Sequence, residues 1–167
     1  MKKAMLSILL GLLFINLYSQ EVPQVQLKTL NGKTVNTKDI LKNDGKPVLV
    51  CFFATWCSSC IKELTAFNED YPDLIDETGV KIIVVAIDNA RTSSNVGPFV
   101  NSRGWEFDVY LDTNEDFKRA MNVGNIPHTF LYDGKGKMVW QHTSYIEGSE
   151  KQTYDVIRKV AKGESIK

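Results

Sequence analysis

The chain has 167 residues, 43% of them hydrophobic and 24% charged, enough for one domain with a buried core and too little for two comfortable ones. Basic and acidic residues balance at 20 each, so the positive excess of a nucleic-acid binder is missing and no nucleic-acid partner is expected. With 3 Cys and 2 His there is no disulfide-stapled scaffold, a Cys/His zinc cage would need nearly all of them, and neither a metal nor another cofactor is expected.

Lys2 and Lys3 precede an uncharged apolar stretch, Ala4 to Leu17, and the small residue Ser19 follows. That order predicts a secretory signal peptide over 1–19 and a single domain over 20–167. The stretch is shorter than the roughly 20 residues of a spanning helix, although an uncleaved segment would act as a membrane anchor. The expected location is the periplasm, where a pair of thiols can stay oxidised.

The elements then follow in chain order. Val25 to Leu30 alternates apolar and polar, Asn31-Gly32 turns, and Thr34-Val35 resumes, which is a hairpin pattern. Val48 to Ala54 is a continuous apolar run suited to a central strand covered on both faces. A helix is expected from Ser58 to Asp70, with Cys60, Leu64, Phe67 and Tyr71 on one stripe and Pro72 ending it. Val80 to Ile87 is a second buried strand. Thr92 or Ser93 would cap a helix reaching about Ser102, with Gly97-Pro98 able to delay its start. Phe107–Leu111 reads as a strand and Asn114–Met121 as a short helix. Thr129–Tyr132 and Met138–Trp140 flank the turn Asp133–Gly136, and Ser149–Ala161 is the last helix. The predicted class is α/β, with a mixed central sheet flanked by helices.

The chemistry sits where the first buried strand turns into a helix, at Trp56-Cys57-Ser58-Ser59-Cys60. Cys57 heads the helix, where free N–H groups and the dipole favour a thiolate, the nucleophile of disulfide exchange. Cys60, one turn on, is spaced to close a disulfide with it. A structural disulfide would join distant segments, and half a metal site is the other alternative.

At these residues the chain resembles the thioredoxin superfamily. Val48–Cys60 resembles that family's active-site strand and helix start, Val123-Gly124-Asn125-Ile126-Pro127 its cis-proline segment, and Asp133–Lys137 its terminal hairpin. The N-terminal β-hairpin and an inserted αβ segment from about Asp88 to Asp112 resemble the exported TlpA-like branch, which contains thiol:disulfide reductases, including those serving cytochrome c maturation.

The resemblance implies Cys57 as the attacking thiol, Cys60 as the resolving thiol, and Trp56, Ile126 and Pro127 as the substrate-facing residues, with Pro127 cis. Glu63, three residues after Cys60, stands where TlpA-like reductases often carry a Glu that tunes or deprotonates the thiols. The implied partners are a disulfide-containing substrate protein and an upstream membrane electron donor, and the protein is expected to be a monomer.

Three departures stand out. Cys51 replaces the buried Asp that thioredoxins proper carry six residues before the first cysteine, and reads as a small core hydrophobe. Ser58-Ser59 is neither Gly-Pro nor Pro-His. His128 follows Pro127 where Thr is usual, and is expected to be hydrogen-bonded and structural. His142 has no evident role. A thiol peroxidase would need Pro and Thr where Val50 and Ala54 stand. A disulfide oxidase or isomerase would use the same pair, and a Cu(I) chaperone would bind metal through it.

Overall fold

The computed structural model describes residues 22–166. The expected signal segment 1–19 lies outside the described residues.

Seven strands form one sheet in the order β2-β1-β5-β4-β3-β6-β7. The centre is β3 (Val48–Phe53), buried along its whole length, and β4 (Lys81–Ala86), which pairs with it in parallel. Their side chains are almost all apolar and many are β-branched, which suits strands covered on both faces. On one side β6 (His128–Tyr132) runs antiparallel to β3, and β7 (Met138–Thr143) antiparallel to β6. On the other, β5 (Asp108–Leu111) is parallel to β4. The N-terminal hairpin, β1 (Gln26–Thr29) and β2 (Thr34–Asn36), docks antiparallel on β5, so the inserted segment carries the hairpin. A short helix α1 (Thr37–Ile40) follows, capped by Asn36, whose side chain accepts from the Lys38 N–H at 2.9 Å. The sequence reading did not anticipate it.

The long helix α2 (Ser58–Thr78) differs from expectation. It was predicted to stop at Pro72, and it passes through that residue for almost two more turns. A proline inside a helix forfeits one backbone hydrogen bond. Packing outweighs that loss, because the stripe Cys60, Leu64, Phe67 and Tyr71 continues through the buried Leu74 and Thr78. The stop is Gly79, left-handed at φ 66°, with its N–H on the Ile75 carbonyl at 2.7 Å.

Asn89 accepts from the Arg91 and Thr92 N–H groups in the turn before a 3₁₀ turn, Ser93–Asn95. That turn leads directly into α3 (Val96–Arg103), whose first turn holds Pro98. Neither Thr92 nor Ser93 makes the expected side-chain cap. Helix α4 (Asp116–Ala120) places Phe117 against Phe52 on one face of the sheet, ring centroids 5.3 Å apart. Helix α5 (Glu150–Ala161) packs on α2 on the other, where Tyr154 meets Phe67 at 5.8 Å and its hydroxyl donates to the Ala66 carbonyl. The α/β class with a mixed sheet flanked by helices is the one expected.

Candidate active site

Strand β3 delivers the chain to the site. After Phe53, Ala54 stays buried, and the Cys57 N–H returns to the Ala54 carbonyl at 3.0 Å, which tightens the turn into α2. Thr55 is held from the side. Its N–H donates to one Asp88 oxygen at 3.0 Å and its hydroxyl to the other at 2.5 Å. Asp88 is fully buried just past β4.

Cys57 is the N-cap of α2, extended at φ −92°, ψ 98°, and its sulfur accepts from the Cys60 N–H at 3.2 Å. A cysteine here has one of the free first-turn N–H groups of a 21-residue helix, that of Cys60, aimed at its sulfur. The Ser59 hydroxyl lies 3.6 Å from the same sulfur. Cys57 and Cys60 form a disulfide with Cα atoms 5.3 Å apart. Cys57 is 7% exposed and Cys60 not at all, so an incoming sulfur reaches Cys57 first. Trp56 beside them is 66% exposed, an unusual position for so large an apolar surface.

The Ile126–Pro127 bond is cis. His128 pairs with Phe52, so Pro127 sits at the end of the sheet from which the Cys57 loop departs. Its carbonyl accepts from the Ser144 N–H at 3.0 Å, and Ile126 remains half-exposed.

Below the disulfide lies Glu63. It is 2% exposed, and burial pushes its carboxyl up to about 8, with the Thr129 hydroxyl opposing. At neutral pH it is therefore mostly a neutral acid. Cys51, also buried, is pushed up by desolvation and then by the Glu63 charge. That makes it a poor nucleophile, as its place in the strand implied.

His128 is on the opposite face of β6. Its Nε2 meets Gln141 Oε1 at 3.0 Å, its ring stacks on Phe130 at 4.2 Å, and burial holds it below the usual histidine range. This is the structural histidine anticipated. The sequence reading missed Asp88, Thr55 and Thr129. An acid directly after an apolar strand was a signal for the first, whereas Thr129 matters only through the β3–β6 register.

The AhpC/TSA family model matches residues 18–141. The thiol-disulfide oxidoreductase ResA of Bacillus thuringiensis (strain Al Hakam) is 38% identical over 122 residues, 73% of this chain and 67% of its own length. ResA of Bacillus subtilis (strain 168) is 30% identical over 145 residues, covering 87% and 76%. A thioredoxin-like protein from Porphyromonas gingivalis, solved in solution, superposes with a TM-score of 0.76 at 48% identity, covering 84% of this chain and 92% of that one. A CxxC disulfide at the head of a helix, on this fold and with these relatives, is a thiol:disulfide oxidoreductase centre, and the chain belongs to the AhpC/TSA family of thioredoxin-like proteins, among its ResA-type members.

Proposed function

We propose that this thiol:disulfide oxidoreductase works outside the cytoplasm as a reductant of protein disulfides, with cytochrome c maturation as the setting. The observation that carries the reading is the asymmetry of the pair: Cys57 touches solvent and caps the helix, while Cys60 is closed off one turn deeper, next to Glu63. No helix among the described residues is long and apolar enough to cross a membrane.

The cycle starts from the dithiol. The Cys57 thiolate attacks one sulfur of the substrate disulfide, the substrate S–S bond breaks, and the departing sulfur takes a proton from water. Substrate and protein are then joined by a mixed disulfide. Cys60 must lose its proton to attack the Cys57 sulfur. Glu63, when ionised, is the buried base on the same helix that takes it. The second substrate sulfur leaves as a thiolate and takes its proton from water, and the Cys57–Cys60 bond of the present structure forms. The substrate has gained two electrons and two protons, and an upstream membrane donor, itself a dithiol, restores the pair. Trp56 and half-exposed Ile126 supply apolar contacts for an extended segment around the substrate cysteine, and Pro127 forms the wall beside it. Val50 and Ala54, both buried, offer no hydroxyl for peroxide.

Trapping is the test. With a disulfide-bearing substrate protein, Cys60→Ser is expected to accumulate the mixed disulfide and Cys57→Ser to abolish reduction. Accumulation by Cys57→Ser in place of Cys60→Ser reverses the roles. The acid–base part is tested separately: Glu63→Gln should flatten the pH dependence of the resolving step, and an unchanged profile removes Glu63 from it.

A further inference from the structure

Strand β6 carries two buried side-chain atoms with no hydrogen-bond partner, His128 Nδ1 and Thr129 Oγ1. They face opposite sides of the sheet, since successive strand residues alternate. His128 is held through its other nitrogen by Gln141. Thr129 is held by nothing, and a buried hydroxyl without a partner calls for an explanation.

The register says what surrounds it. Thr129 lies directly across from Cys51 of β3 on one side and His142 of β7 on the other, so the three share a face. Glu63 comes down onto this row from α2, near enough for the Thr129 hydroxyl to oppose the effect of burial on both Glu63 and Cys51. The other groups facing Glu63 are poorly placed to serve it. Cys51 offers a weak thiol donor only. Tyr145, between β7 and α5, also approaches Glu63, but its hydroxyl already donates to Glu150 at 2.8 Å. Cys60 is held in the disulfide, and His142 stacks on Trp140 at 5.7 Å. Among the described residues, no ion pair reaches Glu63.

We propose that Thr129 is a positioning residue for the redox site, its hydroxyl donating to the Glu63 carboxylate while that carboxylate is ionised and losing this partner when Glu63 takes the proton of Cys60. The inference rests on Glu63 as the proton acceptor. Near neutral pH Glu63 is mostly the neutral acid, a weaker acceptor than the carboxylate, and the unpaired Thr129 hydroxyl fits that form. Without this donor, the ionised form of Glu63 would have no protein hydrogen bond on the sheet side. The acid would then hold its proton too tightly to accept another near neutral pH. The hydroxyl thus brings a buried carboxyl into a useful range without a cation.

The test follows the Glu63 carboxyl by ¹³C NMR against pH in the full oxidised chain. Thr129→Val, nearly isosteric without the donor, should raise the Glu63 midpoint by about one to two pH units, the range expected for a hydrogen bond to a charged acceptor. Thr129→Ser should keep it near wild type, and Cys51→Ala should leave it in place. An unmoved midpoint in Thr129→Val, or a Thr129→Ser midpoint that rises as much, overturns the pairing. If Thr129→Val does not fold, the wild-type Thr129 Cβ resonance decides: it should shift with the Glu63 midpoint, and a flat response overturns the proposal. Failure of Glu63→Gln to alter the resolving step, with the Thr129→Val shift present, would separate a wrong role for Glu63 from a wrong partner.

Discussion

Thr55 gives both of its hydrogens to Asp88, the backbone N–H to one carboxylate oxygen and the hydroxyl to the other. The two residues are 33 apart in sequence, and the pair ties the end of β4 to the loop that presents Trp56 and Cys57.

From this pairing we expect Asp88→Ala to leave the N–H and hydroxyl of half-buried Thr55 without their partner, at a cost of about 1–3 kcal/mol of stability. Asp88→Asn should cost less, because its amide oxygen can accept from the N–H and its NH₂ can donate to the Thr55 oxygen. Denaturant midpoints of the three proteins check this. Equal losses for Ala and Asn would mean that charge, and not hydrogen-bond geometry, holds Asp88 in place.

The Glu63 carboxyl predicts how stability depends on pH. Its folded value, about 8, lies above the ordinary 4.5. The unfolded chain therefore binds fewer protons between these values, and stability falls as pH rises through that window. The contribution is fully present below about 4.5 and is lost by the time pH has passed about 8. One group limits the slope to about 1.4 kcal/mol per pH unit. Glu63→Gln should remove this slope in the oxidised protein. A wild-type stability flat from pH 5 to 8 (roughly this window) would show that Glu63 is ionised in the fold.

The redox pair and its fold were legible in the sequence because their signals are local. Two cysteines three apart at a strand-to-helix junction, and continuous β-branched runs before and after, need no knowledge of distant contacts. The continuation of α2 beyond Pro72 was legible in principle, since Leu74 and Thr78 extend the stripe, but a proline weighs more in a local reading than packing that cannot be seen. Thr129 was not legible at all. It is one residue in an apolar strand, and its place across from Cys51 and beneath Glu63 depends on how β6 aligns with β3. Asp88 reaches Thr55 only because β3 and β4 run parallel and end together.

Burial orders the three thiols once the protein is reduced. Cys57 retains a little surface, and Cys60 and Cys51 have almost none. Alkylation near neutral pH, followed by peptide mass spectrometry, should label Cys57 first. Cys51 should react only under conditions that unfold the chain, because its neighbours in β3 are apolar and burial favours its neutral thiol. Labelling of Cys51 in the folded protein at a rate matching Cys57 would mean that β3 and β6 separate readily.

The direction of electron flow rests on Ser59 and Glu63. Strong oxidants owe their potential to a reduced state in which the first thiolate is heavily stabilised, and they lie near −120 mV, against about −270 mV for thioredoxin. Here the Cys57 sulfur has the Cys60 N–H at 3.2 Å and the Ser59 hydroxyl at 3.6 Å, which are neutral donors. A histidine at 59 would add a charged one. Glu63, nearly two turns deeper than Cys57, brings negative charge when ionised and so works against a second anion nearby. The neutral donors at Cys57, joined by the Glu63 charge once that acid ionises, favour a potential toward the reducing end. Equilibration of the wild type in glutathione or dithiothreitol buffers should give a potential nearer thioredoxin's. Ser59→His should raise it by about 30 mV or more, a tenfold change in the equilibrium constant for two electrons. A wild-type value near −120 mV would make the protein an oxidant, and a Ser59→His variant unchanged in potential would show that residue 59 does not set it.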